Sequence, residues 1–257
     1  MIPTSVREGW MGAAGSSVGA AIQQASASTG VDFGYLMGQA KIESGFNPNA
    51  RARTSSATGL YQFIEQTWLG TVKEHGAKHG LGWAANAIQR GPNGRFHVAD
   101  PAMRHAILDL RRDPEASATM AAEFASDNQD ILEKKLGRPA ESVDLYLAHF
   151  LGAGGATRFL RGHDANPDAP AAAVLPAAAK ANRWVFYKKD GSARSFAEIR
   201  ERFAQKLGGS VPLPTRAPAP DFTTSRMAAM EARPADIPSP SAEYARLAYL
   251  MLAQIGA

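Results

Sequence analysis

The stretch "DFGYLMGQAKIE", residues 32–43, allows its surroundings few options. Phe33, Leu36, Met37 and Ala40 recur at the i, i+3, i+4, i+7 spacing of a buried helical stripe. Tyr35 and Ile42 occupy the opposite side, so the predicted helix is apolar nearly all round and must be packed on most of its faces. Asp32 is placed to cap its start, and Gly45 and Pro48 supply the stop and the turn beyond. At about 100° per residue, Glu43 falls beside Leu36 on the flank of the stripe. A carboxylate in that setting is expensive unless it is paired, protonated or used.

The rest of the chain can supply such a setting. With 257 residues, 45% of them hydrophobic, one sizeable core is expected. The formal charge of +4 is a mild basic bias that favours an anionic polymer or surface. Lys and Arg are nevertheless scattered, without zinc-finger spacing, an aromatic RNA-binding box or a basic arm, so no nucleic-acid partner is expected. The absence of cysteine excludes disulfides, thiolate metal sites and a cysteine nucleophile. No apolar run reaches the ~18 residues a transmembrane segment needs. The start, "MIPTSVREGWMGAAGSSVGAA", lacks the apolar core of a secretory signal, which leaves a trimmed chain, another export route or retention inside.

Organisation follows from punctuation. Residues 16–28 read as a small-residue helix, and a longer helix is predicted from Gly59 through "LYQFIEQTWLGTVKEHG", with Leu60, Ile64, Trp68 and Val72 on one side. Residues 80–99 read as loop-rich and partly helical. Asp100-Pro101 and Asp113-Pro114 each offer an N-cap followed by proline at the first helical position. Met103, Ile107 and Leu110 are expected to bury the first of these helices, Met120 and Phe124 the second. "ESVDLYLAHFLG" is another apolar helix, and "RWVFYK", 183–188, reads as a short extended segment. Ser195 and Glu198 form a capping box at the head of an amphipathic helix. Seven of the sixteen prolines lie in residues 209–240, marking a linker or surface arm before a short apolar-faced helix over 241–257. The division is therefore a helical domain over 1–208, the proline-rich arm, and that terminal helix.

Three blocks in order, "ESGFNPNA", "SSATGLYQF" and "LYLAHFLGAGGA", carry a resemblance. They resemble the three-part signature of lytic transglycosylases with the goose-type lysozyme fold, over about residues 16–205. The resemblance implies a mainly α, lysozyme-like catalytic domain that acts on peptidoglycan glycan strands and needs neither metal nor other cofactor. It implies cleavage of the β-1,4 bond between N-acetylmuramic acid and N-acetylglucosamine, with Glu43 as the acid. Glycoside cleavage needs an acid that keeps its proton near neutral pH, and desolvation on a buried helix flank raises a carboxyl's pKa accordingly. In such enzymes the substrate's 2-acetamido group stands in for a protein nucleophile, and the same carboxylate then takes the 6-hydroxyl proton to leave a 1,6-anhydro sugar.

Other positions carry over by motif. Gln62 matches the glutamine that lines the cleft, and Tyr61 stands where the family has methionine. Ser55 and Ser56 either contact the acetamido sugar or cap the helix predicted from Gly59. The third block departs most: His149-Phe150-Leu151-Gly152 replaces Tyr-Asn-Ala-Gly. His149 then hydrogen-bonds substrate, tunes Glu43, or is a core histidine, while Gly152 opens a tight small-residue turn against the cleft. Tyr187 is the candidate for the aromatic hydroxyl that contacts the acid, or else a packing tyrosine.

Three features are set aside. His75 and His79 have a metal-ligand spacing, but no glutamate sits between them as metalloprotease chemistry requires, so a solvated face is expected. "GAGGAT" lacks the Lys-Ser/Thr pair of a phosphate loop. Glu65 is read as a solvent-facing helix residue, although it and Asp100 are the candidates for activating water if the enzyme is instead a hydrolytic muramidase. A non-catalytic peptidoglycan-binding or assembly protein is the reading of another kind. The resemblance places the protein in the periplasm or cell envelope, with the C-terminal tail available to a secretion, flagellar or phage-tail partner.

Overall fold

The computed structural model describes residues 16–53 and 55–208, so the proline-rich arm and the helix expected over 241–257 lie outside the described residues. Within them the fold is mainly helical, as expected. The helices are α1 (Ser16–Thr29), α2 (Phe33–Ser44), α3 (Glu65–His75), α4 (Gly82–Ala87), α5 (Pro101–Asp109), α6 (Pro114–Leu136) and α7 (Ser142–Ala165). Short helices α8 (Ala171–Val174), α9 (Pro176–Ala181) and α10 (Arg183–Phe186) lead to α11 (Phe196–Lys206).

The helix signals hold where they are chemical. Asp32, Asp100, Asp113 and Ser195 all cap, accepting from the backbone N–H of Tyr35, Met103, Ala116 and Glu198 respectively. Gly45 and Gly137 end α2 and α6 in the left-handed conformation that glycine adopts without penalty. Helix α2 is buried over six consecutive residues, Tyr35 to Ala40, and again at Glu43. Long α6 packs against α1 and α7, and α11 lies on α7. At that last seam Phe159 meets Phe196 edge-on, and Phe203 meets Tyr146 and Phe150. Arg200 reaches the fully buried Asp144 at 3.2 Å, and Arg138 donates to the same carboxylate at 2.7 Å. Asp144 is the buried anion that bolts α11 to the head of α7, sustainable because it is doubly paired.

Four expectations give way. The helix predicted from Gly59 begins only at Glu65. Residues 58–63 instead form a turn in which Gly59 has φ +86° and Gln62 has φ +47°, and Thr58 bridges Phe63. The physical reason is Arg111, whose buried guanidinium donates to the carbonyls of Ser56 and Phe63 and removes them from any helical ladder. Residues 80–99 contain a hairpin as well as α4: β1 (Ile88–Arg90) pairs antiparallel with β2 (Phe96–Val98), with Ile88 opposite Val98. Three-residue strands are too short to show alternation. "RWVFYK" is mostly the helical turn α10, its end carbonyls collected by Arg194, which donates to those of Trp184, Val185 and Tyr187. Met103 is among the exposed large apolar residues, and Ile107 carries the burial of α5.

The close approach at Gly59 gives a direct test. A Cβ there would lie 1.7 Å from the Arg111 carbonyl oxygen, on a backbone whose φ already excludes L side chains without strain. Gly59→Ala is expected to destabilise the fold by about 3 kcal/mol or more, in the range of severe core disruptions, read as a fall in the denaturant midpoint at unchanged slope.

Candidate functional site

Glu43 sits in the last turn of α2, and its side chain is fully shielded from solvent. Desolvation raises its pKa above the ordinary carboxylate value; the charge and contact of His149, and then the charge of Lys206, partly offset that rise. His149 comes from α7 and places Nε2 3.0 Å from Glu43 Oε1. The approach runs off the axis of the ring N–H, so neither carboxyl oxygen has an aligned hydrogen-bond partner. Gln39 Nε2 lies 3.3 Å from His149 Nδ1. With Gln39 donating there, the neutral imidazole carries its hydrogen on Nε2, facing the carboxyl. Tyr146 stacks on the other side of the imidazole at 6.0 Å between ring centres, which fixes the ring's plane. His149 therefore lies beside Glu43, and the core-histidine alternative is not the arrangement found.

The loop before α3 is held close to the end of α2. Ser44 donates from Oγ to the Leu60 carbonyl at 2.8 Å, with the Ala40 carbonyl also within reach at 3.1 Å. Gln62 is buried and spends its amide nitrogen on two backbone carbonyls, Gly59 at 2.9 Å and Ala50 at 3.1 Å. Both N–H donors are thus committed to bracing the left-handed turn, which corrects the expectation that this amide group reaches for sugar hydroxyls. Tyr61 is likewise a core residue, 1% exposed, whose hydroxyl donates to the Leu36 carbonyl at 3.1 Å and presents no free face to a ligand.

Ser56 takes the capping alternative, its Oγ accepting from Glu65 N–H at the head of α3, whereas Ser55 Oγ accepts from Ala57 N–H within the loop and caps no helix. Gly152 lies one turn beyond His149 and kinks α7 with φ +71° and ψ +156°, a conformation reserved for glycine. Tyr187 is stacked under the Arg183 guanidinium at 4.8 Å and paired with Ala193. The tyrosines whose ionisation feels the charge of Glu43 are Tyr35 on α2 and Tyr146 on α7, both raised chiefly by burial.

The two other carboxylates are engaged elsewhere. Glu65 pairs with Arg104 at 2.6 Å, and Asp100 caps α5. His75 corrects the solvated-face expectation: it is buried at the end of α3, with Nε2 2.8 Å from Asp127 and Nδ1 3.0 Å from Glu123 on α6. Its hydrogen bond to Asp127 raises its pKa. His79 reaches Glu123 at 2.6 Å, so the pair clasps α3 and the turn after it onto α6. Glu74, His75 and Asp127 bring one ligand atom each within 4.8 Å of one another, a spacing a cation can bridge, although Asp127, Glu123 and Lys78 already occupy the ring nitrogens.

Motif reading missed Gln39, Trp184 and Lys206. Each carries a buried polar atom without a hydrogen-bond partner in the protein, namely Gln39 Oε1, Trp184 Nε1 and Lys206 Nζ. Gln39 had a signal, since it lies four residues before Glu43 and so shares its helix face; the other two are distant in sequence and had none. Among the described residues no helix is long and apolar enough to cross a membrane. Residues 20–83, which hold Glu43, the Gly59–Gln62 turn and α3, match the family model "Transglycosylase SLT domain", so over that segment the chain is similar to the lytic transglycosylases.

Proposed function

We propose that the protein is a peptidoglycan lytic transglycosylase in which Glu43 is the single acid and base. The observation that carries this reading is the desolvated carboxyl: a group whose pKa burial raises, with the His149 ring nitrogen 3.0 Å away, inside the segment that matches the transglycosylase model. With Oε1 facing His149, the acid proton resides on Oε2 and is given to the oxygen between N-acetylmuramic acid and N-acetylglucosamine. The C1–O bond breaks as the substrate's acetamido oxygen closes on C1. Glu43, now a carboxylate, takes the proton of the muramic 6-hydroxyl as that oxygen displaces the acetamido oxygen. The product is the 1,6-anhydro sugar, and the acid is regenerated. No second carboxylate is needed, which agrees with the engagement of Glu65 by Arg104 and of Asp100 by the α5 N-terminus.

The shielding of Glu43 has a kinetic consequence. A glycan reaches the carboxyl only when the wall over it opens, so binding energy from sugars remote from the bond is spent on that opening. Its substrate locates the protein's action in the periplasm or cell envelope.

Digestion of purified peptidoglycan, read by mass spectrometry, tests the chemistry. Wild type is expected to release muropeptides lighter by one water than hydrolytic products, and Glu43→Gln to lower the rate by about 10²–10⁴ or more, the usual worth of acid–base catalysis. Reducing-end products would identify a muramidase, and binding without release in both proteins a non-catalytic role.

Stability gives an independent reading of the same group. Glu43 has its folded pKa above its unfolded one, so unfolding releases a proton at pH values between the two. Wild-type stability should therefore fall as pH rises from the ordinary carboxylate range through the raised pKa. Glu43→Gln lacks this loss, and near neutral pH it should melt a few degrees higher, equivalent to about 1 kcal/mol. Calorimetry of both proteins across pH 4–9 checks it.

A further inference from the structure

Buried polar atoms without partners are uncommon in folded proteins and each calls for a reason. Among the described residues they include both oxygens of Glu43 and Gln39 Oε1 beside His149, and, at the end of α11, Lys206 Nζ over the ring of Trp184, whose Nε1 is also without a partner. Lys206 is the last residue of α11, one turn after Phe203 and therefore on the face that packs against α7. Phe203 lies 5.4 Å from Tyr146, the ring that stacks on His149. The next residue, Leu207, sets its carbonyl oxygen and a side-chain methyl against Gly38 of α2, close enough that a Cβ there would be 3.4 Å from the oxygen. Arg200, two turns earlier, anchors the helix to Asp144. The end of α11 is thus fixed against both helices that build the site.

Lys206 carries its ammonium into that position at a cost. Nζ is buried, it makes no hydrogen bond in the protein, and it stands 5.7 Å over the Trp184 ring. Burial and then Arg202 lower its pKa to about 8, and Glu43 acts in the opposite direction. An ammonium held in this way is wasteful as a structural element, since Asp144–Arg200 already anchors the helix.

We propose that Lys206 is a positioning residue acting through Glu43: its ammonium is the counter-charge that stabilises the carboxylate formed between proton donation and proton return. The proposal rests on Glu43 being the acid and base. Desolvation alone would keep the carboxyl protonated, leaving it a weak acid and, after donation, an ion without support. A fixed positive charge in a low-dielectric wall favours the ion without touching the substrate. The groups facing Glu43 are Tyr35 from its own helix, His149 and Tyr146 from α7, and Lys206 from α11. Of these groups Lys206 is the one with an amine side chain, charged below its lowered pKa of about 8.

The test is the titration of Glu43 itself, which needs no turnover. The full chain is labelled with glutamate carrying ¹³C at the side-chain carboxyl, and the resonance missing from Glu43→Gln is assigned. In Lys206→Met its midpoint is expected to rise by about one pH unit, the scale for loss of a nearby opposite charge, and in Lys206→Arg to return toward wild type. Lys206→Gln, which keeps a polar side chain of similar reach, is the second variant if the methionine protein does not fold. A midpoint within about 0.2 unit of wild type in the folded neutral variant overturns the proposal, whatever the enzyme does. A shifted midpoint in a protein that releases no muropeptides would instead uphold the coupling and sink the transglycosylase reading.

Discussion

The desolvation of one carboxyl is the constraint on which the site depends. Glu43 is surrounded by the buried run of α2, by α7 and by α11, and water does not reach it. In water its charged form would be favoured at neutral pH; burial shifts the balance toward the neutral form. Everything placed near it either deepens that preference or moderates it. Apolar packing deepens it, while the imidazole of His149 and the ammonium of Lys206 moderate it, the balance a group needs to donate and later recover a proton.

The rest of the architecture reads as the means of holding that pocket shut and in register. The loop that follows α2 has no regular strand or helix of its own, so side chains complete what its turns and isolated bridges leave unsatisfied. Ser44 takes the Leu60 carbonyl, Gln62 those of Gly59 and Ala50, and Arg111 those of Ser56, Phe63 and Leu108. Arg111 is buried without a carboxylate in direct contact, and burial lowers its pKa to about 10. A guanidinium with several donors in a rigid fork suits this task, since one group can satisfy three carbonyls from three points of the chain. On the far side, His75 and His79 clasp the end of α3 and its following turn onto α6, keeping the helix that follows the loop in place.

A contrast in polar satisfaction separates scaffold from site. Asp144, Arg111, Gln62 and the Trp68 indole N–H are buried and bonded. Both carboxyl oxygens of Glu43 and Gln39 Oε1 are buried and have no hydrogen-bond partner within the protein. A scaffold loses stability for every such orphan, so unpartnered atoms on and beside one carboxyl fit the reactive role proposed for it.

Local chemistry was legible in the chain. Aspartate caps before proline, the capping box at Ser195, the glycine stops and the apolar run around Leu36 are interactions within a few residues, so their outcome is written in adjacent letters. The burial of Glu43 followed from helical spacing alone, and the role proposed for it from motif order. What the letters could not decide were contacts across the fold. Arg111 turns a predicted helix into a loop from 48–55 residues away; Lys206, on α11, feels the charge of a glutamate 163 positions earlier; His75 is buried by an α6 that sequence spacing could not bring to it. Gln62 matches a cleft residue by motif, yet its amide N–H groups are spent on backbone carbonyls in the structure, and Ser56 takes the capping one of its two readings, because buried N–H and C=O groups must be satisfied first. By itself the sequence determined which helices form and which carboxyl is driven into apolar surroundings. Only the tertiary structure decided which charges surround that carboxyl, because electrostatic neighbours are set by distance in space, and in a low dielectric those distances govern where the proton resides.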